Sequence, residues 1–280
     1  MTEVTEIRTM TGPDIDVLLD WARQEGWNPG LADRQAFQVA DPEGFIGCYI
    51  DNVMVAGISA VRYGRDFGFI GLYITHPDFR GRGLGRRVWD AAMQHLQNRV
   101  IGLDGVPEQQ ENYRSMGFEP AYQTFRWSGR LAAREEMKVD GGSADTDLFS
   151  ALERFDHCFF PGPRTNFLAQ WRLPPRDIRV ARHNGDIIGY AVRRACHEGE
   201  KIGPLFAADT DGAMSLLHDL ASDREALDIH LDVPAFQMEF SWRLEKAGFT
   251  RSFATMRMYR GTPSPVRHQG IFATTTLELG

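Results

Sequence analysis

Apolar residues recur along the first half of the chain with the two spacings that define regular secondary structure. Ile15, Leu18 and Ala22 share one face of a helix, whereas the segments from residue 45 onward show the short apolar runs of strands. The pattern predicts, in chain order, a helix over 14–25, strands over 45–50, 54–63 and 67–75, a helix over 83–97, a strand over 100–104, a short helix over 109–116 and a strand over 124–127. This order indicates an α/β (α+β) fold with a mixed, mostly antiparallel sheet flanked by helices.

The second half of the chain repeats short segments of the first half. Their separation is nearly constant, at about 130 residues, and they occur in the same order: 101–104 with 229–232, 117–118 with 248–249, and 124–127 with 255–258. We therefore predict two copies of one fold in tandem. The polar, glycine- and aspartate-rich stretch 138–147 is typical of a linker, and a new helix is predicted over 148–155. The predicted boundaries are a first domain over 1–135, a linker over 136–147 and a second domain over 148–280.

Composition limits the class of function. The chain has 280 residues, 42% of them hydrophobic and 25% charged, which is usual for a globular protein. A net charge of −7 argues against a nucleic-acid partner and suits a cationic substrate. We expect no membrane partner and a cytoplasmic location, because no apolar run reaches the roughly 20 residues of a membrane span and the first residues do not form a signal peptide. The three cysteines show no disulfide or metal-ligand spacing, so no metal is expected: Cys48, Cys158 and Cys196.

The most informative segment is 76–87, HPDFRGRGLGRR, which joins a predicted strand to a predicted helix through a glycine-rich turn. Glycines allow a positive φ and let a ligand approach the backbone closely. Free N–H groups at the start of the helix, together with the helix dipole, favour an anion. The arginines in and beside the turn add positive charge: Arg80, Arg82, Arg86 and Arg87. The segment therefore predicts a phosphate-binding turn.

Two common phosphate-binding motifs do not fit this turn. A P-loop requires GxxxxGK[ST], and no such lysine is present. The dinucleotide fingerprint GxGxxG requires a different glycine spacing from that of Gly81, Gly83 and Gly85. The pattern that matches is [RQ]xxGxG, which starts at Arg80.

With this pattern, the chain resembles the GNAT superfamily of N-acetyltransferases, in which a strand and a proline precede an Arg-Gly-x-Gly-x-Gly turn that opens a helix. The resemblance implies that acetyl-CoA is the acyl donor. It implies that backbone amides of the turn bind the CoA diphosphate and that the backbone at Tyr73 and Ile74 pairs with the pantetheine arm. The cofactor-binding residues that it implies are Tyr73, Ile74, Arg80, Gly81, Arg82, Gly83, Leu84, Gly85 and Arg86.

A second motif of the same family, Tyr-x-x-x-Gly-Phe, runs from Tyr113 to Phe118. In the family this tyrosine lies near the thioester sulfur, so the resemblance implies that Tyr113 is a catalytic residue that protonates the leaving thiolate. A phenol with a pKa of about 10 is a reasonable donor. The asparagine that the family usually has after the preceding strand is not evident, since Val106 and Pro107 stand near that position.

The acceptor site is predicted to follow the first helix, where the family builds it. Glu25 is the candidate catalytic base, and Trp27 and Asn28 are candidate substrate-binding residues. A base, a water chain or a desolvating pocket is needed, because an alkylammonium has a pKa near 10.4. Packing and capping at the helix end is an equally good interpretation of Trp27 and Asn28. Asp33 is a weaker candidate for this site.

The second copy lacks the glycine turn. Its equivalent segment, 201–213, carries Asp209 and Asp211 where a phosphate would lie, and their charges would repel it. We therefore predict that this copy does not bind CoA, as in the accessory domain of tandem acetyltransferases that it resembles. Solvent-exposed surface is the simpler interpretation of its possible cation-binding residues: Asp209, Asp232 and Glu239. Asp156 and Arg164 flank a segment, 159–161, that could form a loop over the cleft, although solvent-exposed surface is again the simpler interpretation.

The leading hypothesis is an acetyl-CoA-dependent N-acetyltransferase that transfers an acetyl group to a primary amine by direct attack. The partner is then a small-molecule amine or a peptide amine, and an oligomer is possible but not indicated. Two alternatives stay open at this stage. The enzyme could transfer a longer acyl group, or the chain could be a non-catalytic sensor that binds acyl-CoA.

Overall fold

The computed structural model describes residues 5–131, 140–141, 146–221 and 228–280. The first half comprises β1 (Thr5–Thr9), α1 (Gly12–Gln24), α2 (Asp33–Ala40), β2 (Phe45–Ile50), β3 (Val53–Tyr63), β4 (Phe67–Thr75), α3 (Leu84–His95), β5 (Val100–Gly105), α4 (Gln110–Ser115) and β6 (Glu119–Gly129). The second half comprises β7 (Asp140–Gly141), α5 (Thr146–Asp156), α6 (Thr165–Trp171), β8 (Asp177–His183), β9 (Asp186–Ala195), β10 (Glu200–Ala207), α7 (Thr210–Ala221), β11 (Ile229–Pro234), α8 (Met238–Lys246), β12 (Thr250–Arg260) and β13 (Ile271–Ala273).

The predicted elements of the first half form within a few residues of their predicted bounds. Helix α1 begins two residues early because Thr11 and Asp14 form a capping box, in which each side chain bonds the backbone N–H of the other. The apolar spacing did not predict β1 or α2. Strand β1 is only partly buried, and α2 buries few apolar side chains, so neither has a strong period. Strand β6 begins earlier than predicted because its first residues are mostly exposed and show no apolar period.

The strands of both halves form one continuous, mostly antiparallel sheet. Within the described residues it has 13 strands, in the order β1-β2-β3-β4-β5-β12-β6-β11-β10-β9-β8-β7, with β13 paired to β10. The two parallel pairs are β4 with β5 and β10 with β11. The prediction of a mixed α/β fold with two similar halves in tandem is therefore confirmed.

The two halves exchange their last long strands, which the sequence did not predict. Strand β12 of the second half lies between β5 and β6 of the first half, and β6 in turn pairs with β11 of the second half. Backbone hydrogen bonds thus cross the predicted boundary in both directions. The boundaries at 135 and 148 themselves stay a prediction, because the linker 136–147 lies largely outside the described residues.

The apolar core also joins the halves on one face of the sheet. The largest cluster packs α1 and α2 of the first half against α5 and α6 of the second. In it the rings of Phe37 and Trp171 stack with their centroids 6.3 Å apart. Smaller clusters lie beneath α3 on β2–β5 and beneath α7 and α8 on β9–β11. None of the helices in the described ranges combines the length and the apolar character needed to cross a membrane.

Candidate functional site

The two central strands of the first half separate part of the way along their length. Parallel pairing between β4 and β5 ends where Ile70 faces Leu103. Two residues later Leu72 has a φ of 47°, a left-handed conformation that is uncommon for leucine, and the register between β3 and β4 shifts at the same level. The strands therefore diverge beyond Ile70, and no strand in the described part of the chain pairs with this edge of β4 beyond that point.

The divergence opens a cavity of about 550 Å³, which we call the β4–β5 cleft. Its lining combines both halves of the chain: Glu25, Trp27, Ile70, Gly71, Leu72, Tyr73, Ile74, Thr75, Arg80, Leu103, Asp104, Val106, Glu108, Gln109, Asn112, Tyr113, Phe253, Thr255, Leu277 and Glu278. A chain that is extended along β4 could pair with the free strand edge, as a peptide does in strand addition. Tyr73 and Ile74, which were predicted to pair with pantetheine, lie on this edge.

The glycine turn lies at the start of α3, next to β4. Gly81 and Gly83 both have a φ of 75°, and a Cβ atom built on either would have nothing within 4 Å. Gly83 is the N-cap residue of α3, and no side chain bonds the first amides of the helix. Exposed N–H groups at a helix N-terminus favour an anion. The turn thus has the open backbone that a diphosphate requires.

Gly85 has a different function from the other two glycines. A Cβ atom at this position would lie 2.7 Å from Oγ1 of Thr75 and 3.0 Å from the hydroxyl of Tyr73. The absence of a side chain at Gly85 therefore lets α3 pack closely against β4. Leu84 beside it is buried in the core, so only its backbone could contact a ligand.

The arginines of the turn have partners within the protein. Arg80 donates from Nε to the carbonyl oxygen of Thr75 at 3.0 Å and forms an ion pair with Glu25. The guanidinium of Arg82 lies 5.4 Å from the ring centroid of Phe79. These side chains are exposed, so the arginines can exchange their present partners for an anion at small cost.

Arg86 extends from the first turn of α3 and pairs with Asp90 at 2.7 Å on the surface of the helix. This i,i+4 pair is exposed at both ends, so it too can open at small cost. The backbone N–H of Arg86 belongs to the same uncapped first turn as that of Gly85. The backbone amide of Arg86 is therefore as available to an anion as its guanidinium.

Tyr113 lies on α4, with its ring stacked on that of Trp89 at 5.6 Å between centroids. Burial raises the pKa of Tyr113 above its ordinary value. A raised pKa keeps the hydroxyl protonated, and it also makes complete proton transfer to a thiolate, whose acid has a pKa of about 8.5, less favourable. A hydroxyl with a raised pKa is better suited to donating a hydrogen bond to a thiolate than to giving up its proton. Gly105 makes room for the ring, because a Cβ there would lie 3.0 Å from it.

The predicted acceptor residues separate in the structure. Glu25 and Trp27 line the β4–β5 cleft, but Asn28 does not. The side chain of Asn28 is buried, donates to the carbonyl oxygen of Glu198 at 2.8 Å and accepts from the N–H of the same residue at 3.1 Å. Its amide thus joins the two halves. These contacts differ from the predicted capping of the helix end, and substrate binding by Asn28 stays a prediction.

The loop that carries Trp27 is held by two cations, Arg126 of β6 and Lys201 of β10. The carbonyl oxygen of Trp27 accepts hydrogen bonds from Lys201 at 2.8 Å and from Arg126 at 3.1 Å. Burial, followed by the charge of Arg126, lowers the pKa of Lys201. The two cations fix the loop against the mouth of the cleft.

The weaker candidate Asp33 does not reach the cleft. It is buried, and it pairs with Arg194 at 3.3 Å and Arg176 at 3.5 Å. The interpretation of Asp232 as solvent-exposed surface was wrong, because its side chain is buried and accepts two hydrogen bonds from Arg126, at 2.8 and 3.0 Å. Burial raises the pKa of Asp232, but the charges of Arg126 and Lys201 outweigh this effect and lower it to about 2.

The other acidic candidates of the second half also have partners elsewhere. Asp209 accepts from the N–H of Gly212 at 2.8 Å at the start of α7. Asp211 and Glu239 both pair with Arg243 on the surface. None of these carboxylates lines the β4–β5 cleft, which explains why they were better interpreted as surface charges.

The predicted loop over the cleft is instead part of the core. Asp156 and Arg164 are both buried and bind each other through two hydrogen bonds, one of them 2.8 Å long. The hydroxyl of Tyr190 donates a hydrogen bond to the same carboxylate. Phe159 and Phe160, which lie between them in sequence, pack into the large apolar cluster. The expectation was wrong because the two opposite charges neutralise each other inside the protein.

Sequence reasoning missed the residues that the second half contributes to the cleft. Phe253 and Thr255 come from the exchanged strand β12, and Leu277 and Glu278 come from the 274–280 segment, which follows β13. Glu278 is 3% exposed, and its Oε2 has no hydrogen-bond partner among the described residues. No periodicity marked this segment in the sequence, because its burial depends on the other half of the molecule. Within the same ranges, no cluster of three or more His, Cys, Asp or Glu could hold a metal ion.

Comparison with known protein families finds a match to each half. A model described as "Acetyltransferase (GNAT) family" matches residues 13–118, and one described as "Acetyltransferase (GNAT) domain" matches residues 152–273. A relative from a Pseudoalteromonas species, named holothin acyltransferase, is 32% identical over 94% of this chain and 90% of its own length. The matches to each half and to the whole chain therefore indicate the same family.

Solved structures share the tandem architecture. A putative acetyltransferase from Pyrococcus horikoshii superimposes with a TM-score of 0.82 over 99% of this chain and 96% of its own, at 18% identity. A tandem GNAT protein from the clavulanic acid biosynthesis pathway gives a TM-score of 0.60 over 93% of this chain and 100% of its own, at 12% identity. At such low identity these two likenesses concern the fold alone.

Proposed function

Because the chain belongs to the GNAT family of acetyltransferases, with two of the family's domains in tandem, we propose that it is an acetyl-CoA-dependent N-acetyltransferase. It transfers the acetyl group to a primary amine. The observation that supports this proposal most is the β4–β5 cleft, which is adjacent to the glycine turn and has a free strand edge along one wall. The cleft thus offers an extended binding edge, and the turn beside it offers an anion site.

The residues present fit acyl-CoA as the first substrate. The open backbone of Gly81 and Gly83 and the uncapped amides of α3 would hold the diphosphate. Arg80, Arg82 and Arg86 would add charge, and each hydrogen bond to a charged group contributes roughly 1.5–3 kcal/mol. Backbone groups at Tyr73 and Ile74 would bond the pantetheine amides.

Direct attack by the amine is the mechanism that these residues support. None of the three cysteines lines the β4–β5 cleft, so a thiol is not available there as an intermediate acyl carrier. An alkylammonium with a pKa near 10.4 costs about 4.6 kcal/mol to deprotonate at pH 7. The enzyme must supply that free energy through a proton acceptor or a desolvated site. Glu25 stays a candidate proton acceptor, but its ion pair with Arg80 must first break.

Transfer of a longer acyl group is the second candidate. The specific observation in its favour is the name of the relative that is 32% identical, holothin acyltransferase, which specifies acyl rather than acetyl. Only the depth of the pocket at the thioester end separates the two activities. A series of acyl-CoA donors of increasing chain length, each assayed with the same amine, decides between them.

Thiol release from acetyl-CoA in the presence of a panel of primary amines tests the function. We expect turnover with at least one amine, and we expect Tyr113→Phe to lower kcat by about 10-fold or more while acetyl-CoA affinity, measured by calorimetry, stays within about twofold. Tight acyl-CoA binding without turnover on any amine or donor would instead identify a sensor. Loss of affinity in Tyr113→Phe would show that Tyr113 only supports the fold of the cleft.

A further inference from the structure

We propose that Glu278 is the residue that binds the acceptor ammonium and accepts its proton. This inference rests on the proposed function and adds the residue and the class of substrate to it. Glu278 belongs to the second half of the chain, whereas the acyl-CoA residues belong to the first. The catalytic centre is thus completed by the half that has no glycine turn.

Glu278 is an exception among the buried carboxylates of the described residues. Every other one has an arginine partner: Asp33 with Arg194, Asp41 with Arg62, Asp104 with Arg257, Asp156 with Arg164, Glu200 with Arg193 and Asp232 with Arg126. Glu278 makes no ion pair within these residues, and its buried Oε2 has no hydrogen-bond partner there. An unpaired buried carboxylate is costly, so a protein that retains one has a cation to bind.

The backbone of the 274–280 segment is held firmly at this point. Ser59 donates from Oγ to the carbonyl oxygen of Glu278 at 3.2 Å, and Tyr63 donates to that of Leu279 at 3.0 Å. A Cβ atom on Gly71 would lie 2.0 Å from the Glu278 carbonyl oxygen, so only glycine permits this approach. Gly71 lies one residue after the last pair between β4 and β5. Glu278 therefore lies at the closed end of the β4–β5 cleft, where the strands begin to separate.

The cations near Glu278 already have hydrogen-bond or ion-pair partners of their own. Arg126, Arg194 and Lys201 are near enough to interact with it electrostatically. Both arginines are already paired with aspartates, and Lys201 donates to the carbonyl oxygen of Trp27. The carboxylate consequently has electrostatic neighbours but no direct partner among the described residues.

The lining beside Glu278 indicates the class of amine. Thr255 also lines the cleft and has a buried hydroxyl without a partner in the described part of the chain, which can bond a second N–H of the acceptor. Trp27 and Phe253 contribute aromatic rings to the same cavity. Aromatic faces and a carboxylate together favour a cation carried on a short apolar body. We expect a compact primary alkylamine rather than a peptide or a nucleic acid.

The chemical step balances with groups that are present. Glu278 takes one proton from the ammonium, and the nitrogen lone pair then forms a C–N bond with the thioester carbonyl carbon. The C–S bond breaks as the carbonyl reforms, and Tyr113 stabilises the leaving thiolate with a hydrogen bond. The nitrogen loses its second proton, which passes through water to the thiolate, and Glu278 returns its own proton to the solvent. The net products are an amide, free CoA and one proton.

The test compares two acceptors that the wild-type protein acylates, an alkylamine and an aromatic amine that is already neutral at pH 7. In Glu278→Gln we expect kcat/KM for the alkylamine to fall by about 100-fold or more, because the proton acceptor is lost. The aromatic amine should lose less than about tenfold, since it needs no deprotonation before attack. Acetyl-CoA affinity, measured by calorimetry, should stay within about twofold of wild type.

Two control variants make the test decisive. Glu245→Gln removes an exposed carboxylate from α8 and should retain full activity with both amines. Glu278→Asp keeps the charge on a shorter side chain and should recover part of the lost rate, which also covers a failure of Glu278→Gln to fold. Equal losses with both amines, or an unchanged rate with the alkylamine, would overturn the inference. If the wild-type protein acylates neither amine, the proposed function fails first and the role of Glu278 fails with it.

Discussion

The two halves of the molecule have the same order of elements but differ in the gap that follows each parallel pair of strands. In the first half, pairing between β4 and β5 ends at Ile70, and the gap beyond is the open β4–β5 cleft. In the second half, pairing between β10 and β11 ends at Ile202, and the gap beyond contains β13, which pairs with β10 at Leu205. One gap is available to a ligand, and the other is filled by the chain itself.

The helix that follows each gap shows the same contrast. Helix α3 begins at an uncapped glycine with free amides, whereas the start of α7 is bonded by the carboxylate of Asp209. The filled gap is also tightly packed, since a Cβ atom on Gly203 would lie 2.4 Å from the carbonyl oxygen of Thr274. The second half thus supplies its own anion and its own strand at the two places where the first half would bind acyl-CoA.

This difference shows how one segment of a duplicated domain can fill a gap in its own half and line a cleft in the other. The segment that fills the second gap continues beyond β13 and places Glu278 in the first cleft. One segment of the second half therefore both fills the second gap and contributes to the lining of the first. The predictions below test this relation, starting with the largest effect.

The strand exchange predicts that one pair of residues stabilises both halves together. Arg257 of β12 bonds Asp104 of β5 twice at 2.8 Å, and both side chains are buried. Arg257→Ala leaves an unpaired buried carboxylate, so we expect the free energy of unfolding to fall by about 3–5 kcal/mol. Urea unfolding of the whole chain measures this. Arg260→Ala, at the exposed end of the same strand, should cost less than about 1 kcal/mol; an equal cost would contradict the role of the pair.

The open glycine turn predicts loss of acyl-CoA binding on the addition of a negative side chain. In Gly83→Asp a carboxylate occupies the start of α3, and we expect acetyl-CoA affinity to fall by about 100-fold or more. Calorimetry provides the measurement. Gly185→Asp is a matched control, because Gly185 also has a positive φ and an open environment but lies in the hairpin between β8 and β9. If both variants bind acetyl-CoA equally well, the turn is not the diphosphate site.

The buried pair Asp232–Arg126 predicts how the junction responds to acid. The pKa of Asp232 is lowered to about 2 by the nearby cations, so its contribution to stability is present above pH 4 and lost as the pH falls towards 2. We expect the difference in unfolding free energy between wild type and Asp232→Asn to narrow by about 1 kcal/mol from pH 5 to pH 3. Urea unfolding at each pH tests the sign. A difference that stays constant would show that Asp232 gains nothing from Arg126.

The filled second gap predicts that replacement of Asp209 leaves the number of bound acetyl-CoA molecules unchanged. Asp209→Gly frees the amides at the start of α7 but leaves β13 in place. We expect calorimetry to give one acetyl-CoA per chain in both wild type and variant, with affinities within about twofold. Two sites in the variant would show that Asp209, rather than β13, keeps the second half empty. Two sites in the wild type would refute the contrast between the halves.

Much of the first half followed from the sequence because its signals are local. The helical face of Ile15 and Leu18, the strand 67–75 and the turn at Gly81 and Gly83 depend on neighbours within a few residues. The internal repeat likewise predicted two similar halves, because similar short-range patterns specify similar elements. The absence of the turn in the second half was evident for the same reason.

The strand exchange, the filling of the second gap by β13 and the second-half residues that line the β4–β5 cleft were decided only by tertiary structure. Asn28 shows why: its side chain is satisfied by the backbone at Glu198, 170 residues away, and no local pattern contains that contact. Glu278 is the strongest case, since nothing in residues 274–280 distinguishes a buried carboxylate from an exposed one. Its burial and its position follow from Gly71, Ser59 and Tyr63 of the other half, and contacts of that range form only when the whole sheet assembles.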